Sequence, residues 1–252
     1  MSDLRYLACS DIQFPLQDDR AVGLWLKVLK GFKPDMVDLV GDLDDSDSTS
    51  RWAVGAEKTI GVNEAGAQAT REFIATIRGI APTANIHLFD GNHGWTRHDK
   101  YIKENAPALV GTITPDTLYD HERHDVVFHY YGDLPYNRFN DMYVHHGQAV
   151  SKHSGESVKA DIDSWGVSLI RGHSHRLGDY FKTYEITGQR LEGYEIGHMM
   201  KVEKADYSNQ RNWQQGFLYG YVSEGQHFLE LVPIKETAEG LACYVAGKKY
   251  IN

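Results

Sequence analysis

Ile86-His87-Leu88-Phe89-Asp90-Gly91-Asn92-His93 is the stretch on which the reading of this chain turns: a short apolar run, then a polar tetrapeptide setting a potential metal ligand, Asn92, beside a potential acid, His93. A brief apolar run closed by polar and turn residues reads as a buried strand. The same arrangement repeats on either side. Upstream, residues 4–9 lead into Ser10-Asp11, and residues 36–40 lead into Gly41-Asp42-Leu43-Asp44-Asp45. Between these, residues 18–30 carry Val22, Leu24, Trp25, Leu26, Val28 and Leu29 at mostly helical spacing, with Gly31 expected as the stop. Residues 64–78 repeat the pattern with Ala65, Ala69, Phe73, Ile74 and Ile77, and Gly79 followed by Pro82 is expected to end it.

Downstream, residues 96–125 give mixed signals, with a helix expected before Pro107 and a short one after Pro115. Residues 126–131 and 141–144 read as strands, the second running into His145-His146-Gly147. A weak helix over 154–163 precedes a strand at 167–170 that empties into Arg171-Gly172-His173-Ser174-His175. From Tyr180 onward short strands alternate with polar turns, with 217–222 and 227–234 the clearest pair.

Five apolar runs therefore end in metal-capable residues: Asp11 with Gln13, Asp42 with Asp45, Asn92 with His93, His145 with His146, and His173 with His175. Ligands of open α/β sheets gather at the carboxyl ends of strands, so these ends are expected to converge on one crevice. Carboxylates, an asparagine and histidines suit divalent first-row metals better than calcium or magnesium. Two such ions about 3.5–4 Å apart turn a shared water into hydroxide at neutral pH, poised to attack phosphorus in line. A carboxylate must bridge them, and Asp42 is the natural choice. His145 and His146 cannot both face the crevice from one strand, because successive side chains point to opposite faces.

These blocks, Asp11-Ile12-Gln13, Gly41-Asp42-Leu43-Asp44-Asp45, Gly91-Asn92-His93-Gly94, His146 and Gly172-His173-Ser174-His175, resemble in order and spacing those of the calcineurin-like metallophosphoesterases. The resemblance covers residues 11–175, and Trp213-Gln214-Gln215-Gly216-Phe217 resembles the tail of phage-type members. It implies an α/β sandwich, two mixed β-sheets flanked by α-helices. It also implies one metal held by Asp11, Asp42, His175 and Gln13, and a second held by Asp42, Asn92, His146 and His173. His93 would protonate the leaving oxygen and Asp45 would orient its ring. His146 is preferred to His145 because it directly precedes Gly147, as the family histidine often does. Two positions depart from the pattern. Gln13 stands where the family usually has histidine, which implies a looser first metal and a shift toward manganese or magnesium. Gly94 replaces an acidic residue, removing a charge beside His93 and widening the site.

Over 252 residues with 41% hydrophobic composition, one core and a single domain spanning 1–252 are expected. The net charge of −9 offers no basic footprint for long nucleic acids. Two cysteines in apolar company and a start without signal-peptide character indicate a reduced, cytoplasmic protein, in the host cytoplasm if phage-encoded. Arg97 is expected either to steady a phosphate oxygen or to lie exposed at a helix start. Asp44, His98 and Arg176 are read as solvated surface. His87, His121, His124, His129, His153, His198 and His227 lack motif company and are read as structural or surface residues. Tyr130, Tyr131, Tyr136, Phe139 and Tyr143 are read as packing, with base stacking as the rival use.

The expected function is hydrolysis of a phosphodiester, small or a short nucleotide, with two divalent ions. Manganese is favoured among iron, zinc, nickel and magnesium. A DNA or RNA nuclease, a phosphomonoesterase or protein phosphatase, and an inactive metal-containing binding protein are the alternatives.

Overall fold

Every apolar run that leads into a polar strand end forms a strand. The computed structural model describes residues 3–46, 49, 62–204 and 212–252. In chain order these give β1 (Leu4–Cys9), α1 (Asp19–Phe32), β2 (Met36–Val40), α2 (Val62–Ile80), β3 (Asn85–Phe89), α3 (Gly94–Asn105), α4 (Pro115–Tyr119), β4 (Val126–His129), β5 (Tyr136–Phe139) and β6 (Met142–Val144). There follow α5 (Glu156–Trp165), β7 (Ser168–Arg171), β8 (Leu177–Thr183), β9 (Arg190–Ile196), β10 (Gly216–Ser223), β11 (Gln226–Pro233), β12 (Lys235–Thr237), β13 (Gly240–Val245) and β14 (Lys248–Ile251).

One six-stranded sheet runs β11-β10-β1-β2-β3-β4, and a five-stranded sheet runs β5-β6-β7-β9-β8. β1 to β4 are mutually parallel, joined by helical crossovers, while β10 pairs antiparallel to β1. In the second sheet β6, β7 and β9 are parallel and β5 and β8 run antiparallel at its edges. Both sheets are mixed, as expected. The antiparallel β12-β13-β14 sheet was not anticipated.

Alternation along β1 explains the layering, because a strand's successive side chains serve opposite faces. Tyr6 and Ala8 join Val40 and Phe89 against Met142, Val144, Ile170 and Ile196 of the second sheet. Leu7 and Cys9 turn the other way, toward Leu24, Trp25 and Val28 of α1 and Phe73, Ile74 and Ile77 of α2. Covering on both faces is why the central strands read as unbroken apolar runs. One exception, Asp38 in mid-β2, is fully buried, and it accepts hydrogen bonds from Arg138 Nε at 2.8 Å and the Tyr6 hydroxyl at 2.7 Å. Across the second sheet's outer face, Val158 and Ile162 of α5 pack on Leu169 and Leu191.

Two expected helix stops lie inside their helices. α1 runs through Gly31 and ends at Phe32, capped by Lys33 in a left-handed conformation, its amide donating to the Leu29 carbonyl. Gly31 instead sits under Tyr250 of the third sheet, whose Leu241, Cys243 and Val245 complete the helix-side core. α2 runs through Gly79 to Ile80, and Pro82, which cannot donate a helical N–H, follows its end. Among the described residues no helix is long and apolar enough to cross a membrane.

Candidate metal centre

The strand ends meet where the parallel strands of both sheets finish. Asp11, Gln13, Asp42, His173 and His175 all adopt left-handed backbone conformations, with φ of 52°, 52°, 50°, 67° and 59°. Single residues of this kind turn the chain sharply off its strand, and Asp, Asn and His tolerate them better than most side chains.

Asp42 is at the centre. Its Oδ1 accepts the His93 amide at 2.9 Å, and its Oδ2 lies 3.1 Å from His146 Nε2 and 4.0 Å from His93 Nε2. His146 Nδ1 donates to the Val40 carbonyl at 2.8 Å. The neutral ring therefore turns a lone pair at Nε2 toward the carboxylate, an opposition that only a proton or a cation relieves. Burial opposes a charge on His146, but Asp42 and Asp11 outweigh it and lift its pKa to about 9. Despite its own burial, Asp42 is held well below the usual carboxylate range by His146 and His93. Burial and the neighbouring His146 lower His173 to about 3, so its imidazole is neutral and available as a ligand. Asp42, His146 and His173 offer ligand atoms that all lie within 4.8 Å of one another.

Asp11 anchors the other half. Its Oδ2 accepts the Ser10 hydroxyl at 2.6 Å and the His173 amide at 2.9 Å, while Oδ1 lies 3.0 Å from His175 Nε2. Burial would raise the Asp11 pKa, but His175 and His146 bring it below the ordinary value. Gln13 is fully buried, and its Nε2 stands 3.5 Å from His175 Nε2. The structure thus brings Gln13 into the cluster.

Asp11 Oδ1, Asn92 Oδ1 and His146 Nε2 are buried without a hydrogen-bond partner. Buried polar atoms are nearly always paired, so three orphans in one cluster of carboxylates and imidazoles fit divalent cations.

His93 caps the amino end of α3 in an extended conformation. Its Nδ1 lies 2.8 Å from Asp45 Oδ1 and 3.1 Å from the Asp45 carbonyl. Arg97 does not extend into solvent: Nη1 donates to the Asp45 carbonyl at 2.8 Å and Nη2 to His93 Nε2 at 2.9 Å. In this arrangement His93 carries its proton on Nδ1. Burial disfavours a second proton, but Asp42 and Asp45 prevail, Arg97 opposing, and the His93 pKa is raised. Asp90 caps α3 from below, its Oδ2 accepting the Thr96 amide at 2.9 Å and hydroxyl at 2.6 Å, and burial lifts its carboxyl to about 8.

Gly94 opens α3. Its φ is +57°, and a Cβ there would meet the Tyr119 hydroxyl at 3.0 Å and Asp90 Oδ1 at 3.2 Å. The missing side chain thus relieves crowding against Tyr119 and Asp90. Asp44, His98 and Arg176, read as solvated, are buried. Asp44 accepts the Ser46 amide at 3.0 Å, His98 meets the Ser46 hydroxyl at 3.0 Å, and Arg176 donates to the Ser174 carbonyl at 3.1 Å.

His145 faces away from the cluster, its Nε2 on the Tyr131 carbonyl at 3.1 Å and its ring against Tyr131 and Trp165. The Tyr131 hydroxyl donates to the Gly147 carbonyl at 3.0 Å, Tyr136 packs tilted against His129, and Phe139 packs edge-on to Tyr6. Two supporting residues carried no sequence signal. Fully buried Arg171 pairs with Asp161 at 2.7 Å and donates to the Ala149 carbonyl at 2.8 Å, fixing the loop after His146. His198 is buried beside His175, with ring centroids 5.8 Å apart, and burial lowers its pKa to about 3.

The chain is 30% identical over 243 residues to the Gene 54 protein of Mycobacterium phage L5, covering 91% of this chain and 93% of the relative. It is 30% identical over 248 residues to the Gene 54 protein of Mycobacterium phage D29, with the same coverages. No family model matches. Among solved structures, Vps29 of Chaetomium thermophilum superposes with a TM-score of 0.53 at 12% identity, over 99% of this chain and 95% of that one. That likeness is one of fold, the calcineurin-like metallophosphoesterase sandwich.

Proposed function

The chain belongs to the family of the Gene 54 proteins of Mycobacterium phages L5 and D29, and we propose that it is a phosphodiesterase dependent on two divalent metal ions. The observation that carries this reading is the Asp42 carboxylate, 3.1 Å from His146 Nε2 on one side and 4.0 Å from His93 Nε2 on the other. One carboxylate thereby links a metal-ready imidazole to an acid-ready one.

Asp11, Gln13, Asp42 and His175 would hold one ion, and Asp42, Asn92, His146 and His173 the other. When bound, the ions supply Lewis-acid polarisation of a phosphoryl oxygen and activation of water at neutral pH. Asp45 fixes His93 through Nδ1 at 2.8 Å, leaving Nε2 to give its proton to the departing oxygen. For that, Arg97 must leave Nε2, and an anionic phosphoryl oxygen is the partner that would draw its guanidinium away. His93, once released from Arg97 and still held at Nδ1 by Asp45, would have Nε2 free to take up its second proton.

A net charge of −9 supports a small diester or short nucleotide over long DNA or RNA. Manganese is the favoured ion, because the amide of Gln13 is a harder ligand than imidazole. Phage-encoded relatives support action in the host cytoplasm. Chelator-stripped protein, resupplied with manganese, magnesium, zinc or nickel, should hydrolyse a chromogenic diester faster than the matching monoester. Monoester preference would turn the reading to phosphomonoesterase. Gln13 favours a second reading, a metal-holding binding protein without turnover, and silence toward both esters with every metal would select it.

A further inference from the structure

His198 is fully buried, and its Nε2 has no hydrogen-bond partner among the described residues. Its Nδ1 accepts the Met200 amide at 3.2 Å. A neutral imidazole that accepts at Nδ1 carries its proton at Nε2, so the orphaned atom is a donor. A buried, unmet N–H is costly, which makes this ring a poor choice for packing alone.

The backbone around His198 is tied to both segments that carry the Asp11 half of the centre. The Met199 amide donates to the Asp11 carbonyl at 3.1 Å, and the Asp18 amide donates to the Met199 carbonyl at 2.8 Å. The His198 amide donates to the Gln214 carbonyl at 3.3 Å, and the Gln214 amide to the His175 carbonyl at 2.9 Å. Trp213 lies edge-on to both imidazoles, its centroid 4.7 Å from that of His175 and 6.3 Å from that of His198. The ionisable groups acting on the His198 ring are His175, Asp11 and Asp18. Asp18 already accepts from the Arg20 amide at 3.1 Å and from Gln215 Nε2 at 3.2 Å. The other two neighbours are His175, its ring centroid 5.8 Å away, and Asp11, whose Oδ1 stands 3.0 Å from His175 Nε2.

We infer that His198 is a substrate-binding residue of the Asp11 half, its Nε2–H donating to an oxygen of a phosphoryl group held there. The inference rests on the phosphoesterase reading above. An oxyanion is the fitting class of ligand, because an N–H fixed by the backbone donates a hydrogen bond and cannot coordinate a cation.

The test compares wild type, His198→Phe and His198→Gln, loaded with manganese, by calorimetric titration with inorganic phosphate and by elemental analysis of bound metal. His198→Phe should keep the wild-type metal content and bind phosphate roughly 10- to 100-fold more weakly, the worth of one hydrogen bond to a charged group. His198→Gln, which keeps a donor, should recover most of the loss. Nitrogen-15 NMR of the metal-free wild type should find the ring proton on Nε2, and in zinc-loaded protein that proton should shift when phosphate is added. The NMR arm decides the matter if His198→Phe does not fold. A ring protonated at Nδ1, a Phe variant with wild-type phosphate affinity, or one that loses a metal would overturn the role of His198 alone. Wild type that holds metal yet binds no phosphate would overturn the phosphoesterase reading and this role together.

Discussion

The two halves of the centre are made from the same parts and are completed differently. Around Asp42, two imidazoles and a carboxylate bring their ligand atoms within 4.8 Å, and the Val40 carbonyl fixes the tautomer of His146. Around Asp11, one imidazole stands at 3.0 Å, and an amide, Gln13, takes the second place. Three close ligand atoms on one side, against one imidazole and an amide on the other, teach that two ions, bound as proposed, would not be held alike. The Asp42 half should fill first and the Asp11 half should exchange.

The most severe way to break the comparison is Asp42→Asn, since this carboxylate would serve both halves. Metal content should fall for both ions and diester hydrolysis by roughly 10³-fold or more. Retention of two ions by elemental analysis would mean that Asp42 does not join them. His93→Ala should leave both halves loaded and lower the diester rate by about 10²- to 10⁴-fold, the usual worth of a general acid. Unchanged turnover would remove His93 from the chemistry.

A pH titration separates the halves without mutation. His146 in metal-free protein is protonated below about 9, so an ion entering the Asp42 half must displace that proton. Its apparent affinity should weaken about tenfold for each pH unit below that value, so about 100-fold between pH 8 and pH 6. Stability of the metal-free protein moves in the opposite direction. A raised histidine pKa contributes fully below the ordinary value near 6.5 and is lost as pH rises through about 9. A tight-site affinity that ignores pH would contradict the placement of His146. The smallest effect is expected of Gln13→His, which should tighten the weaker ion by about tenfold and narrow the gap between the halves. An unaltered second phase in the metal titration would show that this position does not coordinate.

Much of this was legible because central strands covered on both faces announce themselves. Leu4–Cys9 and Met36–Val40 were readable as strands to the residue, and each polar strand end followed from them. Gly31 and Gly79 misled, because a glycine within a helix and one beyond it look alike until the neighbour is known, here Tyr250 in the case of Gly31. The third sheet was hidden because its strands are short and partly exposed, so the alternation is weak. In the centre, residues in tight motifs could be read, whereas His198 is brought to Asp11 only by hydrogen bonds between distant segments. Arg171 was equally silent, since a lone arginine at a strand end gives no sign that Asp161 awaits it at 2.7 Å.

The left-handed turns at Asp11, Gln13, Asp42, His173 and His175 have a consequence for how such a protein can change. Each of these positions disfavours β-branched side chains on backbone grounds alone, whatever they would coordinate. Asp, Asn, His and Gly cost the backbone least there, and the first three can themselves bind a cation. An exchange among them would retune the affinity for an ion without disturbing the turns that build the crevice.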